Sequence, residues 1–247
     1  KIKELFIKIF RRENLMVSVT AQEKGIDSVR AQMKSFAQCL YTQPVEKKSC
    51  VITCEKKNEG FLDASAVQYV SRAGNFTTKG YSYTGALRVL KVILSYDYLW
   101  QNIRVKGGAY GCMSGFSRVG DCYFSSYRDP NLAKTNEVFE KTTEYLENFE
   151  IDERDMTKYI IGTISELDAP LTPSAKGYRS LSAYLSGLTR EMAQKEREEI
   201  IGATVKDIRD LSGIVSAVLA DNNLCVIGSE EALRSEREMF ETLQDLY

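Results

Sequence analysis

Histidine is absent from the 247-residue sequence. Its absence excludes a Ser-His-Asp or Cys-His catalytic unit and any histidine-based zinc site within the chain. The six cysteines include no Cys-x-x-Cys pair, and scattered thiols of this kind indicate a reduced, intracellular protein rather than a disulfide framework. We therefore expect a cytoplasmic location if the protein is bacterial and an organelle matrix if it is eukaryotic.

The sequence also lacks a charge excess and long apolar runs. Lys+Arg total 33 and Asp+Glu 34, so no net charge draws the chain toward nucleic acid or an anionic membrane. The apolar stretches fall far short of the ~20 residues that span a bilayer, and no signal peptide opens the sequence. We expect no nucleic-acid partner and no membrane partner. Because the first residue is Lys1 rather than methionine, we expect a piece of a longer protein.

Apolar residues make up 43% and charged residues 27%, which is typical of a globular protein. The apolar periodicities predict strands first, then a block of helices, then one returning strand. This order indicates an α+β fold, with an antiparallel-type sheet packed against a block of helices, in a single domain 1–247. Residues 1–60 supply the lead-in strands and the first helix. The predicted strands cover 5–10, 15–20, 51–54, 66–72, 110–116, 122–127 and 224–228, and the predicted helices cover 25–41, 83–103, 129–148, 152–168, 173–187 and 204–220, with short helices after Thr189 and Ser229.

Several helices begin at residues that favour helix N-termini. Asp129 is a predicted N-cap with Pro130 at the first helical position. Thr204 with Asp207 three residues later predicts a capping box. The helix over 83–103 is apolar on nearly every face, so it belongs in the middle of a domain.

The segment that follows this helix is the first candidate for chemistry. Arg104 stands at the helix end, Gly107 and Gly108 follow, and Tyr110 opens the next strand. A structural explanation suffices, because a cation offsets the helix dipole and glycines end helices. Alternatively, the glycines let an extended ligand approach the backbone, Arg104 holds a carbonyl or carboxylate, and the Tyr110 hydroxyl donates to a developing oxyanion.

Two other clusters favour structural roles. Glu196, Glu198 and Glu199 lie among basic residues and predict a solvated helix face. Cys50 and Cys54 fit buried small apolar positions on one side of a strand, and a metal role would need two further soft ligands.

Three separated blocks together resemble a known family. They are Ile-Arg-x-Lys-Gly-Gly-Ala-Tyr-Gly at 103–111, Ser-Tyr-Arg-Asp-Pro-Asn at 126–131, and Asp-Ala-Pro at 168–170 with Pro-Ser-x-Lys-Gly at 173–177. Their order and spacing resemble the last domain of presequence proteases, a branch of the pitrilysin/insulinase family of zinc metallopeptidases. Looser similarity extends from about Glu13 to the end.

The resemblance implies four related α+β domains that enclose a chamber, with an inverted zinc motif, His-x-x-Glu-His, on the first domain. It implies that Arg104 holds substrate and that Tyr110 stabilises the oxyanion, with Gly107 and Gly108 beside the substrate. The implied substrates are unfolded peptides, and the implied partners are the zinc-bearing N-terminal domains of the same polypeptide. Because the chain has no histidine, the zinc must lie outside it, and we expect the chain to bind no metal and to be inert alone.

A second function remains open. Some relatives in this superfamily are non-catalytic structural subunits or peptide-binding partners of an active subunit. Retention of both Arg104 and Tyr110 argues against a purely structural role. A His-x-x-Glu-His motif upstream of the chain is the feature that separates the two functions.

Overall fold

The computed structural model describes residues 1–46, 48–51, 55 and 57–246. The chain forms two compact units. The smaller unit comprises Lys1–Cys54 and Pro170–Arg190, and the larger unit comprises Glu55–Ala169 and Glu191–Tyr247. The expectation of a single domain over 1–247 stays a prediction.

The smaller unit is helical where strands were expected. Helix α1 spans Ile2–Ile9, so the predicted strand over 5–10 is wrong. Ile2, Leu5, Phe6 and Ile9 recur at helical spacing, and that period outweighs the strand preference of their side chains. Residues 15–20 form no strand either. The remaining helices of this unit are α2 over Glu23–Gln38, which confirms the helix predicted over 25–41, and α7 over Pro173–Ser186.

A six-stranded sheet forms the frame of the larger unit. Its strands are β1 Glu59–Asp63, β2 Tyr69–Asn75, β3 Gly111–Phe116, β4 Asp121–Tyr127, β5 Leu224–Ser229 and β6 Thr242–Asp245. They lie in the order β3-β4-β2-β5-β1-β6.

Strands β2, β3, β4 and β5 pair antiparallel, as expected. Strand β1 instead pairs parallel with both β5 and β6. The sequence predicted neither β1 nor β6, and the predicted strand over 51–54 falls largely outside the described residues.

The helices accompanying this sheet confirm most of the predicted order. Two predicted long helices are each divided, one at Lys141 and one at Leu211. The predicted helix over 83–103 ends early, at Tyr96, and a separate turn follows it. The helices are α3 Ala86–Tyr96, α4 Ala133–Glu140, α5 Thr142–Glu147, α6 Glu153–Asp168, α8 Arg190–Ile201, α9 Val205–Asp210, α10 Ser212–Leu219 and α11 Glu230–Ser235.

Local capping explains why several helix starts were predictable. Asp152, Thr172 and Ser229 each accept a hydrogen bond from a backbone N–H in the first turn of the following helix. Thr204 and Asp207 form the predicted capping box. Asp129 is the exception, because α4 begins at Ala133 and its N-cap is Leu132.

The hydrophobic core of the larger unit forms around α3. Its side chains Leu87, Leu90, Ile93 and Leu94 are completely buried, as the apolar pattern predicted. Phe124 on β4 packs against Phe139 on α4 within the same core. The α+β fold class is therefore confirmed, with a mixed rather than purely antiparallel sheet. Within the described residues, no helix is both long and apolar enough to cross a membrane.

Candidate functional site

The candidate site begins where α3 gives way to a wider turn. Trp100–Val105 form a π-helical turn, and the N–H of Lys106 donates to the carbonyl of Gln101, five residues back. Such turns are rare and occur frequently at functional sites. The turn buries Ile103 in the core and leaves Arg104 half-exposed.

Gly107 and Gly108 end this turn. The N–H of Gly108 donates to the Arg104 carbonyl at 3.0 Å, and the N–H of Ala109 donates to the Ile103 carbonyl at 3.1 Å. Gly108 has a φ of +80°, the left-handed conformation that commonly ends a helix, and these two bonds close the end of the π-helical turn. A Cβ on Gly107 would lie 2.5 Å from the Ile103 oxygen, so only glycine fits there. Helix termination therefore accounts for both glycines, and their contact with substrate stays a prediction.

Arg104 and Tyr110 meet across this turn. The Arg104 guanidinium carbon lies 5.6 Å from the centroid of the Tyr110 ring and 4.5 Å from that of Trp100. Arg104 also donates a hydrogen bond through Nη1 to the Tyr110 carbonyl. Cation–π contacts of this kind restrain the guanidinium while leaving other N–H groups to bind a ligand. Trp100 had no role in the sequence analysis, although its position four residues before Arg104 on a helix predicts contact.

Tyr110 is held at its backbone and free at its hydroxyl. Its N–H lies 3.1 Å from the Tyr127 carbonyl and 3.3 Å from the Arg128 carbonyl. Its ring meets that of Tyr127 edge-on at 5.8 Å, and 65% of the residue is exposed. Among the described residues the hydroxyl has no hydrogen-bond partner, so it is available to a ligand. Arg128 has a φ of 49°, an uncommon conformation for a residue other than glycine.

The residues that follow Tyr127 contact the turn at Gly107 and Gly108 through a side-chain hydrogen bond. Asp129 is completely buried and does not cap α4 as predicted. Its carboxylate instead accepts hydrogen bonds from the Thr135 hydroxyl at 2.7 Å and the Asn131 N–H at 2.9 Å. The side chain of Asn131 reaches the carbonyl of Gly107 at 2.6 Å. Asp129 and Asn131 belong to the motif at 126–131, but nothing in the sequence pattern predicts these contacts.

The glutamate cluster on α8 has a structural role at Glu196 and Glu199. Glu196 is only 6% exposed, so the predicted solvated face is wrong for it. Its carboxylate accepts hydrogen bonds from Arg88, Arg118 and Tyr83. Burial raises the pKa of Glu196, but these three hydrogen bonds outweigh burial and lower it overall. Glu199 accepts the N–H of Gly85 at 2.6 Å, at the start of α3.

Burial disfavours the reactive thiolate form of Cys112 and Cys122 in the larger unit. Burial raises the pKa of Cys112 to about 11, despite the opposing charge of Arg104, and raises that of Cys122 to about 12. Cys50 is exposed, so the predicted buried position is wrong for it, and Cys54 lies outside the described residues. Within the described part of the chain, no three His, Cys, Asp or Glu residues are grouped so as to hold a metal ion.

Comparisons with known proteins extend over most of the chain. A family model described as the PreP C-terminal domain matches residues 58–230. Protein HypA of Clostridium perfringens is 41% identical over 246 residues, covering 100% of this chain and 25% of HypA. Presequence protease 1, chloroplastic/mitochondrial, of Arabidopsis thaliana is 34% identical over 247 residues, covering 97% of this chain and 23% of that protein. The chain thus spans about a quarter of the length of these relatives.

Solved structures share the fold at low sequence identity. A peptidase M16 inactive domain from Pseudomonas fluorescens superposes with a TM-score of 0.56 at 15% identity, covering 83% of this chain and 51% of that one. The crystal structure of pitrilysin superposes with a TM-score of 0.54 at 14% identity, covering 83% of this chain and 23% of that one. At this identity the likeness concerns the fold alone.

Proposed function

Because this chain belongs to the PreP C-terminal domain family, we propose that it completes the active site of a zinc-dependent metalloendopeptidase that degrades unfolded peptides. Its relatives include proteins named presequence protease, with mitochondrial and chloroplast forms. In this proposal the remaining domains belong to the same polypeptide. The protein acts in the cytoplasm if bacterial and in an organelle matrix if eukaryotic.

One observation supports the proposal most directly. Arg104 and Tyr110 lie side by side at the surface of the larger unit, with the guanidinium 5.6 Å from the tyrosine ring. A turn closed by backbone hydrogen bonds from Gly108 and Ala109 thereby holds one cationic donor and one hydroxyl donor together. This pairing suits a ligand that carries oxygen acceptors along an extended backbone.

Each side chain has a distinct task in peptide hydrolysis. Arg104 binds a carbonyl or carboxylate oxygen of the peptide and so holds the substrate in register. The Tyr110 hydroxyl donates to the oxygen of the scissile carbonyl as negative charge develops on it. A donor that is stronger toward the transition state than toward the ground state raises kcat, and the loss of one such donor costs about 3 kcal/mol.

The zinc that the family implies does not fit this chain. The sequence has no histidine, and no metal-holding group of His, Cys, Asp or Glu exists among the described residues. We therefore assign zinc to a part of the polypeptide outside the chain and assign no metal-dependent step to these residues. The isolated chain is then inert, and zinc-dependent peptide cleavage by the purified 247-residue chain would overturn this part of the proposal.

Tyr110→Phe in the complete polypeptide tests the proposal. We expect kcat to fall about a hundredfold with unchanged zinc content, because only the donor hydroxyl is removed. Tyr96→Phe is the matched control, since Tyr96 is similarly exposed, at 71%, and does not belong to the Arg104–Tyr110 pair. Near wild-type turnover of Tyr110→Phe would remove Tyr110 from the mechanism. Absence of turnover in the complete wild-type polypeptide would favour the second candidate, a non-catalytic peptide-binding or structural subunit.

A further inference from the structure

A side chain from a different part of the chain donates a hydrogen bond to the turn that joins Arg104 to Tyr110. The Nδ2 of Asn131 donates to the Gly107 carbonyl at 2.6 Å, and the two residues are 24 positions apart. Gly107 lies three residues from Arg104 and three from Tyr110. The hydrogen bond therefore acts at the centre of the segment that carries both side chains.

Asn131 is in turn fixed by a buried anchor. Its N–H donates to Oδ1 of Asp129 at 2.9 Å, and Oδ2 of Asp129 accepts from the Thr135 hydroxyl at 2.7 Å. The backbone of Asp129 pairs with Gln68 through two hydrogen bonds, of 2.7 and 2.8 Å. A completely buried carboxylate with these bonds has little freedom to move. Asn131 thus connects the flexible glycines to a rigid part of the larger unit.

We propose that Asn131 is a positioning residue that acts on the reaction through Tyr110, by holding the Gly107 carbonyl. This inference rests on the proposed function of Tyr110. Without the amide, two adjacent glycines leave the turn free to change its backbone angles. Displacement of a reacting group by about 1 Å can cost about a hundredfold in rate, so a bond remote from substrate can control turnover.

Amide hydrogen exchange in the complete polypeptide tests the contact without relying on catalysis. Asn131→Ala should speed exchange at residues 107–110 about tenfold, because the turn opens more often when its outside hydrogen bond is lost. Asn148→Ala is the matched control: the Nδ2 of Asn148 also donates to a backbone carbonyl, that of Glu144, at 2.9 Å. It should leave exchange at 107–110 unchanged. Unchanged exchange in Asn131→Ala would overturn the inference.

Kinetics test whether Asn131 acts through Tyr110. Asn131→Ala should lower kcat about ten- to a hundredfold with little change in KM. In a Tyr110→Phe background the same substitution should lower kcat no further, since the hydroxyl that it positions is already gone. Independent losses that multiply in the double variant would overturn the inference, because a merely structural residue would slow both backgrounds alike.

The two proposals fail in different ways. If Tyr110→Phe alone keeps wild-type turnover, the proposed function fails and the inference fails with it. If Tyr110→Phe is slow but Asn131→Ala is not, only the inference fails.

A second variant guards against misfolding. Asn131→Ser keeps the N–H that donates to Asp129 and suits a turn, but its shorter side chain does not reach Gly107. We expect it to reproduce both the faster exchange and the lower kcat. A wild-type result from a folded Asn131→Ser variant would overturn the inference.

Discussion

In the larger unit Leu90 is completely buried, whereas Leu5 in the smaller unit leaves 55% of its surface exposed. The contrast is general: within the described residues, every buried hydrophobic side chain belongs to the larger unit. The smaller unit buries Arg11, which pairs with Glu13, and its described apolar side chains are exposed or only partly buried. Both units contain amphipathic helices, so an apolar stripe in the sequence does not by itself indicate a core.

The smaller unit therefore lacks the usual source of helix stability. Isolated helices shorter than about 12 to 15 residues are marginal in water, and α1 has 8 residues. Exposed apolar stripes of this kind are typical of surfaces that pack against another part of a protein. The larger unit, with its buried α3, should account for most of the free energy of unfolding of the chain.

Truncating a leucine side chain should give the largest difference between the two units in the free energy of unfolding. Leu90→Ala should lower the free energy of unfolding by about 3 kcal/mol, because it leaves a cavity beside α3. Leu5→Ala should cost about 0.5 kcal/mol or less, since its side chain is already in water. Urea unfolding of the purified chain measures both. Equal losses would mean that α1 has a core of its own, and the contrast would be wrong.

Loss of the buried Glu196 carboxylate should give the next largest effect on stability. Glu196→Gln should cost about 2 kcal/mol at pH 7, since Arg88 and Arg118 lose their shared countercharge while remaining partly solvated. Glu198→Gln is the control on the same helix, because Glu198 is exposed, and it should change stability little.

The stabilisation that Glu196 provides should be lost at low pH. The pKa of Glu196 in the folded chain lies below its ordinary value of 4.5, so its stabilisation is complete above pH 4.5. It is lost as the pH falls from 4.5 through the lowered pKa. The stability difference between wild type and Glu196→Gln should therefore shrink only below pH 4.5, and a difference that shrinks near pH 6 would contradict the assignment.

Helix caps give the smallest and most closely matched comparison. Thr204 and Thr172 each accept a backbone N–H three residues later, at 3.2 and 3.3 Å. Thr204→Ala should cost about 1 kcal/mol in global unfolding, because α9 buries Ile208 in the core. Thr172→Ala should cost less, since α7 buries no residue. Equal costs in urea unfolding would show that α7 unfolds together with the core.

Features fixed by neighbouring residues were predictable from the sequence, and those fixed by distant ones were not. The caps at Asp152, Thr172, Thr204 and Ser229 act within one helical turn, and the sequence predicts a helix start at each of them. Strand β1 contains glycine and two acidic residues and is stabilised by pairing with β5 and β6 far along the chain. No local sequence pattern predicts such a strand.

The candidate site follows the same division. Arg104, the two glycines and Tyr110 are near neighbours in sequence, so their meeting at one turn could be expected. Asp129 has the local pattern of an N-cap, but its burial lets it hold Asn131 and Thr135 instead. The contact from Asn131 to Gly107 joins two segments through the tertiary fold, and spacing along the chain does not predict it.

The position of β1 between β5 and β6 has a consequence for how the protein is made. On the ribosome, β1 emerges long before either of its partners, and the hydrogen bond from the Leu224 N–H to the Asn58 side chain joins residues 166 positions apart. Contacts so distant in sequence slow folding, and unpaired strand edges invite association with other chains in the meantime. The sheet can be completed only after synthesis has passed β5 and β6, so both edges of β1 stay unpaired until then.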